Sequence, residues 1–192
     1  MRGKAMILKS LRPSATTTLL VALTLTACGG PQSGAEIKIP DGFDTCSILT
    51  PQRARAAAGK PIAEITSTLE DAQGRGPLYC PYNAGTTEHL ELIGLELRPA
   101  NSPRVAASRM ESAKTYLERL SKRKIQPIQG LGDEAYWVPG LQQLHTRRGP
   151  IVIVATMQAG ENPLDDARQL TLDTLAVLEK AAAEKGQGKP AA

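Results

Sequence analysis

Two adjacent carboxylates and a histidine are the side chains of this sequence best placed for acid–base chemistry. Asp133 and Glu134 follow a Gly-Leu-Gly segment, and His145 lies beyond the next predicted turn. If Glu134 and His145 face each other across a hairpin, the three groups could form a general acid–base pair or bind a cation. The structural alternative places Asp133 in a turn and makes Glu134 and His145 an exposed cross-strand pair. We favour the structural interpretation.

Motifs typical of metal, nucleophilic or phosphate sites are missing from the sequence. His89 and His145 are the only two histidines, and they lack metal-ligand spacing. Ser47 lies beside a cysteine and outside any Gly-x-Ser-x-Gly elbow. Gly130 and Gly132 precede a predicted strand, whereas a phosphate-binding loop enters a helix and needs a lysine. We therefore predict no metal, no cofactor and no catalytic residue.

Tyr136 and Trp137 stand together in a chain that is only 3% aromatic. In a strand, adjacent side chains point to opposite faces. There are two interpretations. Either both side chains pack in a core beneath helices, which we favour, or one of them lines a groove or a partner surface. Together with Asp133, Glu134 and His145, they are the candidate binding residues.

The N-terminal segment has the features of an export signal. Four basic residues precede an apolar stretch from Thr18 to Leu25, and the run Leu25-Thr26-Ala27-Cys28 follows. This arrangement resembles the lipobox of bacterial lipoprotein precursors, in which the cysteine is lipidated and becomes the first mature residue. The alternative is an ordinary signal peptide in which Cys28 is incidental. The resemblance implies a lipid anchor at Cys28 in the cell membrane or an outer membrane, with the domain facing the periplasm or the exterior.

Cleavage after Ala27 would change the charge balance of the chain. The first 27 residues contain four of the 23 basic residues and none of the 19 acidic ones, so 19 basic and 19 acidic residues remain. A near-neutral mature protein gives no support for a nucleic-acid partner.

Composition divides the chain into four segments. We predict a signal peptide at 1–27, a glycine-containing flexible tether at 28–40, one domain at 41–184 and a disordered tail at 185–192.

Two cysteines remain once Cys28 is assigned to the lipid. Cys46 and Cys80 would lie outside the reducing cytosol, so we expect them to form a disulfide. The alternative, a reactive thiol pair, is disfavoured because the two residues do not form a Cys-x-x-Cys motif.

Three predicted helices begin with a capping residue followed by proline, a residue that the first helical position tolerates. These pairs are Thr50-Pro51, Ser102-Pro103 and Asn162-Pro163. Gly59 predicts the end of the first helix. Apolar residues at helical spacing predict the buried stripe of the second helix: Ala106, Met110, Ala113, Leu117 and Leu120. The third helix, from about Leu164 to Ala183, would bury Ala167, Leu175 and Leu178.

Strand patterns fill the intervals between the helices. Ile151–Ala155 is an unbroken apolar run of the kind that is buried on both faces, so helices should cover both sides of the sheet. Alternating leucines from Leu90 to Leu97 change phase at Ile93-Gly94, which predicts a bulge. Earlier strands are expected near Ile65 and over Leu78–Tyr82.

Two turn dipeptides set the predicted register of the last three strands. Pro139-Gly140 and Arg148-Gly149 are interpreted as two-residue turns. The resulting pairs are Val138 with Leu141, Tyr136 with Gln143 and Glu134 with His145, and the resulting row is Ala135, Leu144 and Ile153.

The predicted element order is a helix, two or three strands, a long helix, three strands and a helix. It indicates an α+β fold, an α/β sandwich in which helices pack on a mainly antiparallel sheet, with one disulfide. Both halves run from helix to strands, which suggests a loose structural repeat.

Several segments resemble a broad group of uncharacterised bacterial lipoproteins, many of them actinobacterial. The relevant runs are Cys46-Ser47-Ile48-Leu49-Thr50, which precedes a short helix, and Gly130-Leu131-Gly132-Asp133, which precedes a hairpin. No catalytic residue is implied by the resemblance. The extracellular sensor domains of mycobacterial receptor kinases look related, and by analogy they suggest an α+β sandwich with a binding role.

The sequence thus favours a lipid-anchored extracytoplasmic protein that is not an enzyme and that binds an envelope component or a small ligand. One alternative is a small hydrolase or cation-dependent enzyme that uses Asp133, Glu134 and His145. Another is a structural lipoprotein of the envelope. The expected partners are the membrane, through the N-terminal lipid, and an envelope protein or small ligand.

Overall fold

The computed structural model describes residues 37–64 and 78–187, which fold as α+β with an antiparallel sheet. The helices are α1 (Pro51–Ala58), α2 (Pro103–Ser121) and α3 (Pro163–Gln187), and a short 3-10 turn covers Thr45–Ser47. The strands are β1 (Ala63–Glu64), β2 (Tyr79–Asn83), β3 (Leu92–Pro99), β4 (Gln126–Pro127), β5 (Glu134–Val138), β6 (Gln143–Arg148) and β7 (Ile151–Met157).

The sheet joins two antiparallel meanders through their last strands. Its order is β1-β2-β3-β7-β6-β5-β4, and β3 pairs with β7 in the middle. All seven residues of β7 are buried, because apolar layers cover both faces. Ile153 belongs to the layer shared with α1 and α3, whereas Val152 and Val154 belong to the layer under α2. The prediction of burial on both faces is confirmed.

All three helices begin at the predicted prolines. The hydroxyls of Thr50 and Ser102 accept hydrogen bonds from backbone N–H groups of the first turns of α1 and α2, which cap donors that have no partner within the helix. Gly59 ends α1 in the left-handed conformation, as predicted.

The predicted helix faces are largely confirmed. Ala167, Leu175 and Leu178 are buried under α3, and most of the predicted α2 stripe is buried or half-buried. Leu120 is the exception, because it is 53% exposed at the end of α2.

Both ends of the described domain differ from the predicted segment boundaries. Ile37 and Ile39, in the predicted tether, are 8% and 5% exposed and belong to the main core. Their alternating spacing buries one side of an extended segment. At the other end, α3 continues to Gln187, so residues 185–187 of the predicted tail are helical. Residues 28–36 of the predicted tether and 188–192 of the predicted tail lie outside the described residues.

The register prediction for the last three strands is wrong by two residues at each turn. Val138 pairs with Gln143, so four residues rather than two connect β5 and β6. Leu141 donates its backbone N–H to Val138, and Gln142 adopts a positive φ of 50°. The turn into β7 uses Gly149-Pro150 instead of Arg148-Gly149.

Two further strand predictions need correction. β3 pairs without interruption with both neighbours, so the bulge predicted at Ile93-Gly94 is wrong. Ile93, Leu95 and Leu97 form one buried face, whereas Leu90 precedes the strand and is 67% exposed. The two-residue strand β4 was not predicted. The early strand expected near Ile65 is present as β1, which ends at Glu64, although Ile65 itself lies outside the described residues.

The suggested repeat of helix and strands does not extend to the layers. The two halves meet at β3 and β7, which pair antiparallel. If the halves were true repeats, a twofold rotation about an axis perpendicular to the sheet would superimpose them, and this rotation would leave their first helices on the same face of the sheet. Yet α1 and α2, which start the two halves, contribute to the cores on opposite faces of the sheet. The halves therefore share an order of elements without sharing an architecture.

The predicted disulfide between Cys46 and Cys80 is confirmed, with the two Cα atoms 5.2 Å apart. It connects the segment before α1 to β2 across a separation of 34 residues. In the chain-entropy model, closing such a loop stabilises the fold by roughly 4 kcal/mol. Within the part of the chain that the structure describes, no helix combines the length and apolar character needed to cross a bilayer.

Candidate functional site

The two-residue register shift separates the predicted acid–base residues. Glu134 pairs with Arg147, and His145 pairs with Tyr136. The expected Glu134–His145 pair is therefore wrong, both as a catalytic pair and as an exposed cross-strand pair. A shift by two residues keeps each side chain on its predicted face and changes only its partner.

His145 is enclosed between the sheet and α2. Its ring stacks on Tyr136 with centroids 5.0 Å apart and an interplanar angle of 13°, and the residue is 3% exposed. Burial disfavours the imidazolium, and the positive charge of Arg98 adds to this effect, so the pKa of His145 is lowered to about 3. A neutral, buried imidazole at neutral pH is suited to packing.

The carboxylate of Asp133 holds the turn between β6 and β7. It accepts hydrogen bonds from Arg147 at 2.9 Å, from Arg148 at 3.3 Å and from the backbone N–H of Gly149 at 2.7 Å. Three donors occupy most of the acceptor capacity of the group. Asp133 therefore has a structural role, but the turn that it holds is the one between β6 and β7 rather than a turn of its own Gly-Leu-Gly-Asp segment.

Glu134 has a looser environment than its neighbour. Its Oε2 atom lies 3.6 Å from Nε of Arg147, and that Nε atom makes no hydrogen bond. The Glu134 side chain is 36% exposed. This carboxylate keeps free acceptor capacity on the side that faces solvent.

Tyr136 and Trp137 are both core residues. They point to opposite faces of the sheet, where Tyr136 packs under α2 at 2% exposure and Trp137 joins the core under α3 at 5% exposure. The Tyr136 hydroxyl donates to the carbonyl of Met110 on α2 at 3.4 Å. Core packing of both aromatics, which the sequence favoured, is what the structure shows.

A cavity of about 350 Å³ opens where α2, β4 and the start of β5 meet. Apolar atoms of Ile125, Pro127 and Ile128 line it on one side, and the loop 129–133 borders it on another. Lys114, Asp133 and Glu134 contribute the charged groups. Tyr136 also borders the cavity, so three of the five candidate binding residues meet here, whereas Trp137 and His145 do not.

Sequence reasoning missed the helical side of this cavity. Lys114 lies on α2 among other charged residues, and nothing in that pattern distinguishes it from a solvated position. Its neighbour across the cavity, β4, is too short to give a strand pattern. The Gly-Leu-Gly-Asp segment was the only part of the cavity with a recognisable signal.

The loop 129–133 also borders a second cavity on its opposite side. This space, of about 420 Å³, lies against Leu172 and Leu175 of α3. Arg148 reaches across it to Glu179 of α3 at 2.9 Å. Its polar groups are thus already paired with each other, which makes it less suited to a ligand than the cavity beside α2.

Residues 37–64 and 78–187 contain no group of three or more histidine, cysteine or carboxylate side chains placed to hold a metal ion. Comparison of the chain with protein-family models, with curated proteins and with solved structures finds no match.

Proposed function

We propose that this chain is a lipid-anchored extracytoplasmic protein that binds a small ligand or an envelope component without catalysing a reaction. The observation that carries the binding role is the cavity beside α2. It combines an apolar wall with a few charged groups, which is the usual composition of ligand sites. Its volume of about 350 Å³ lies at the lower end of the roughly 300–1,000 Å³ typical of such sites.

The anchor and the compartment rest on two independent features. The lipobox-like run ending at Cys28 supports lipid attachment. The Cys46–Cys80 disulfide supports a location outside the reducing cytosol, where such bonds persist.

A non-catalytic role is supported by the environment of the former catalytic candidates. Asp133 is engaged by three donors, and His145 is buried and stacked on Tyr136, its cross-strand partner in place of Glu134. The alternative hydrolase or cation-dependent enzyme requires these groups to converge. The direct Glu134–His145 pairing on which that alternative was based is not formed.

Native mass spectrometry of the full lipoprotein, purified gently from its own envelope, tests the proposal. We expect an acylated chain with one intact disulfide and a reproducible additional mass from a retained companion. A Cys28→Ser variant should lose the lipid mass and leave the membrane fraction. An acylated chain without any companion, at every detergent concentration tried, would contradict the binding role.

Two matched variants locate the companion. Lys114→Ala should reduce its occupancy because Lys114 borders the cavity. Lys180→Ala, an exposed position on α3, should leave occupancy unchanged. Equal occupancy in both variants would place the companion elsewhere on the molecule.

A further inference from the structure

We infer that the cavity beside α2 accepts a small zwitterion with an apolar body, of the kind represented by a short peptide with free ends. The inference rests on the proposed function and names the ligand class for the same site. In this arrangement the ligand's ammonium group pairs with Glu134, its carboxylate pairs with Lys114, and its apolar body lies against Ile125, Pro127 and Ile128.

The negative charge available to a ligand is that of Glu134, not that of Asp133. Asp133 already accepts three hydrogen bonds within the β6–β7 turn. Among the residues that the structure describes, Glu134 meets only Nε of Arg147, at 3.6 Å and without a hydrogen bond. A ligand ammonium group could therefore donate a charge-assisted hydrogen bond to Glu134 without displacing an existing one.

The positive charge available to a ligand is that of Lys114. Its Nζ atom lies 3.9 Å from Oε2 of Glu111, one turn earlier on α2, and the lysine side chain is 39% exposed. An exposed pair of this spacing contributes only a few tenths of a kcal/mol. The ammonium of Lys114 can therefore turn toward a carboxylate in the cavity at little cost.

The two charges together select against singly charged ligands. A simple anion that pairs with Lys114 would meet the negative charge of Glu134, and a simple cation that pairs with Glu134 would meet Lys114. A zwitterion satisfies both groups at once, which gives specificity by repulsion as well as by attraction.

The apolar part of the cavity wall is the surface against which the apolar body of the ligand would pack. Ile125 belongs to the core under α2, and Ile128 packs against the core on the other face. Pro127, between them, has no backbone N–H to offer and pairs with Tyr136 in the sheet. This wall therefore favours an aliphatic group over a further polar one.

Isothermal titration calorimetry with the lipidated full chain in detergent tests the inference. The probes are alanyl-leucine with free ends, its N-acetyl derivative and its C-terminal amide. We expect the free dipeptide to bind and each single block to weaken binding at least about tenfold, the effect of losing one charge-assisted hydrogen bond.

Protein variants assign each charge of the ligand to its partner. Glu134→Gln should abolish the preference for a free amine, and Lys114→Met should abolish the preference for a free carboxylate. Lys180→Met and Glu184→Gln, at exposed positions of α3, are the matched controls and should retain both preferences.

The outcomes separate this inference from the proposed function. Equal affinity for all three probes, lost in Lys114→Met, would overturn the zwitterion class while supporting binding at the cavity. Preferences that persist in both cavity variants would place the probe elsewhere and overturn the inference. Failure of every probe to bind would also overturn it, and the retained mass in native mass spectrometry would then decide the proposed function separately.

Discussion

His145 links the pH of the medium to the stability of the hairpin at the level of a single side chain. Its folded-state pKa of about 3 lies below the value of about 6.5 expected in the unfolded chain. Between these two pKa values, the unfolded state binds a proton at His145 that the folded state does not bind. The contribution of His145 to the free energy of unfolding is fully present above pH 6.5 and is lost as the pH falls toward 3. Between pH 7 and pH 5 this loss amounts to about 2 kcal/mol.

Urea unfolding at both pH values measures this effect. His145→Phe keeps an aromatic ring against Tyr136 and removes the titrating group, so the difference between pH 7 and pH 5 should shrink by about 2 kcal/mol. His89→Gln alters the other histidine, which is exposed, and should leave the difference unchanged. An unchanged difference in His145→Phe would contradict the assignment.

Asp133 is predicted to stabilise the fold through the turn that it holds. Asp133→Ala should lower the free energy of unfolding by about 2 kcal/mol, because a backbone N–H and two arginines lose their acceptor. Glu179→Ala removes only the partially exposed partner of Arg148 and should cost less than about 0.5 kcal/mol. Equal losses in chemical denaturation would argue against the special role of Asp133.

The sequence predicts on which face of the sheet each candidate residue lies, but it does not predict the cross-strand partner of that residue. Strand periodicity correctly placed Tyr136 and Trp137 on opposite faces, and a two-residue error in the turn preserves such assignments. The partner of His145 depends on the length of the β5–β6 turn. Pro139-Gly140 is a common turn dipeptide, and nothing in the sequence signals that Gln142 extends the turn by taking a positive φ.

Among the connecting elements, the loop between β4 and β5 offers a matched pair of glycines. Gly130 and Gly132 both have positive φ, at 71° and 62°. A Cβ atom at Gly130 would meet nothing within 4 Å, whereas one at Gly132 would lie 2.4 Å from the carbonyl oxygen of Arg147. An alanine at Gly130 would therefore add backbone strain alone, whereas an alanine at Gly132 would add both backbone strain and steric overlap.

Gly130→Ala should cost about 1 kcal/mol from the left-handed conformation alone. Gly132→Ala should cost at least about 2 kcal/mol more, because the loop must move away from β6. Thermal and urea unfolding of the two variants supply the comparison. Similar losses in both would show that β6 gives way easily to the added methyl group.

The elements with strong local signals were predictable, and the others depended on tertiary contacts. Caps and prolines located all three helix starts, because those signals lie within a few residues of the chain. β4 has only two residues, one of them a proline, so its pairing with β5 leaves no periodic pattern. The false bulge in β3 arose because Leu90 continued an apolar alternation outside the strand.

At the scale of the whole molecule, the extended N-terminal segment belongs to the core. Ile39→Ala should lower the free energy of unfolding by about 2–4 kcal/mol, since a buried isoleucine would leave a cavity. Leu90→Ala removes an exposed apolar side chain and should change stability by less than about 0.5 kcal/mol. Equal effects in urea unfolding would mean that the N-terminal segment is not an integral part of the core.

Because Ile37 belongs to the core, nine residues, 28–36, separate the proposed lipid attachment site from the described domain. Nine residues span at most ~32 Å in any conformation, so with Cys28 acylated the domain remains in a thin layer over one leaflet. Capture of a ligand would then depend on its concentration in that layer rather than in the bulk. A ligand released from the membrane surface would be met by lateral diffusion in two dimensions, whereas one confined beyond that layer would never be reached.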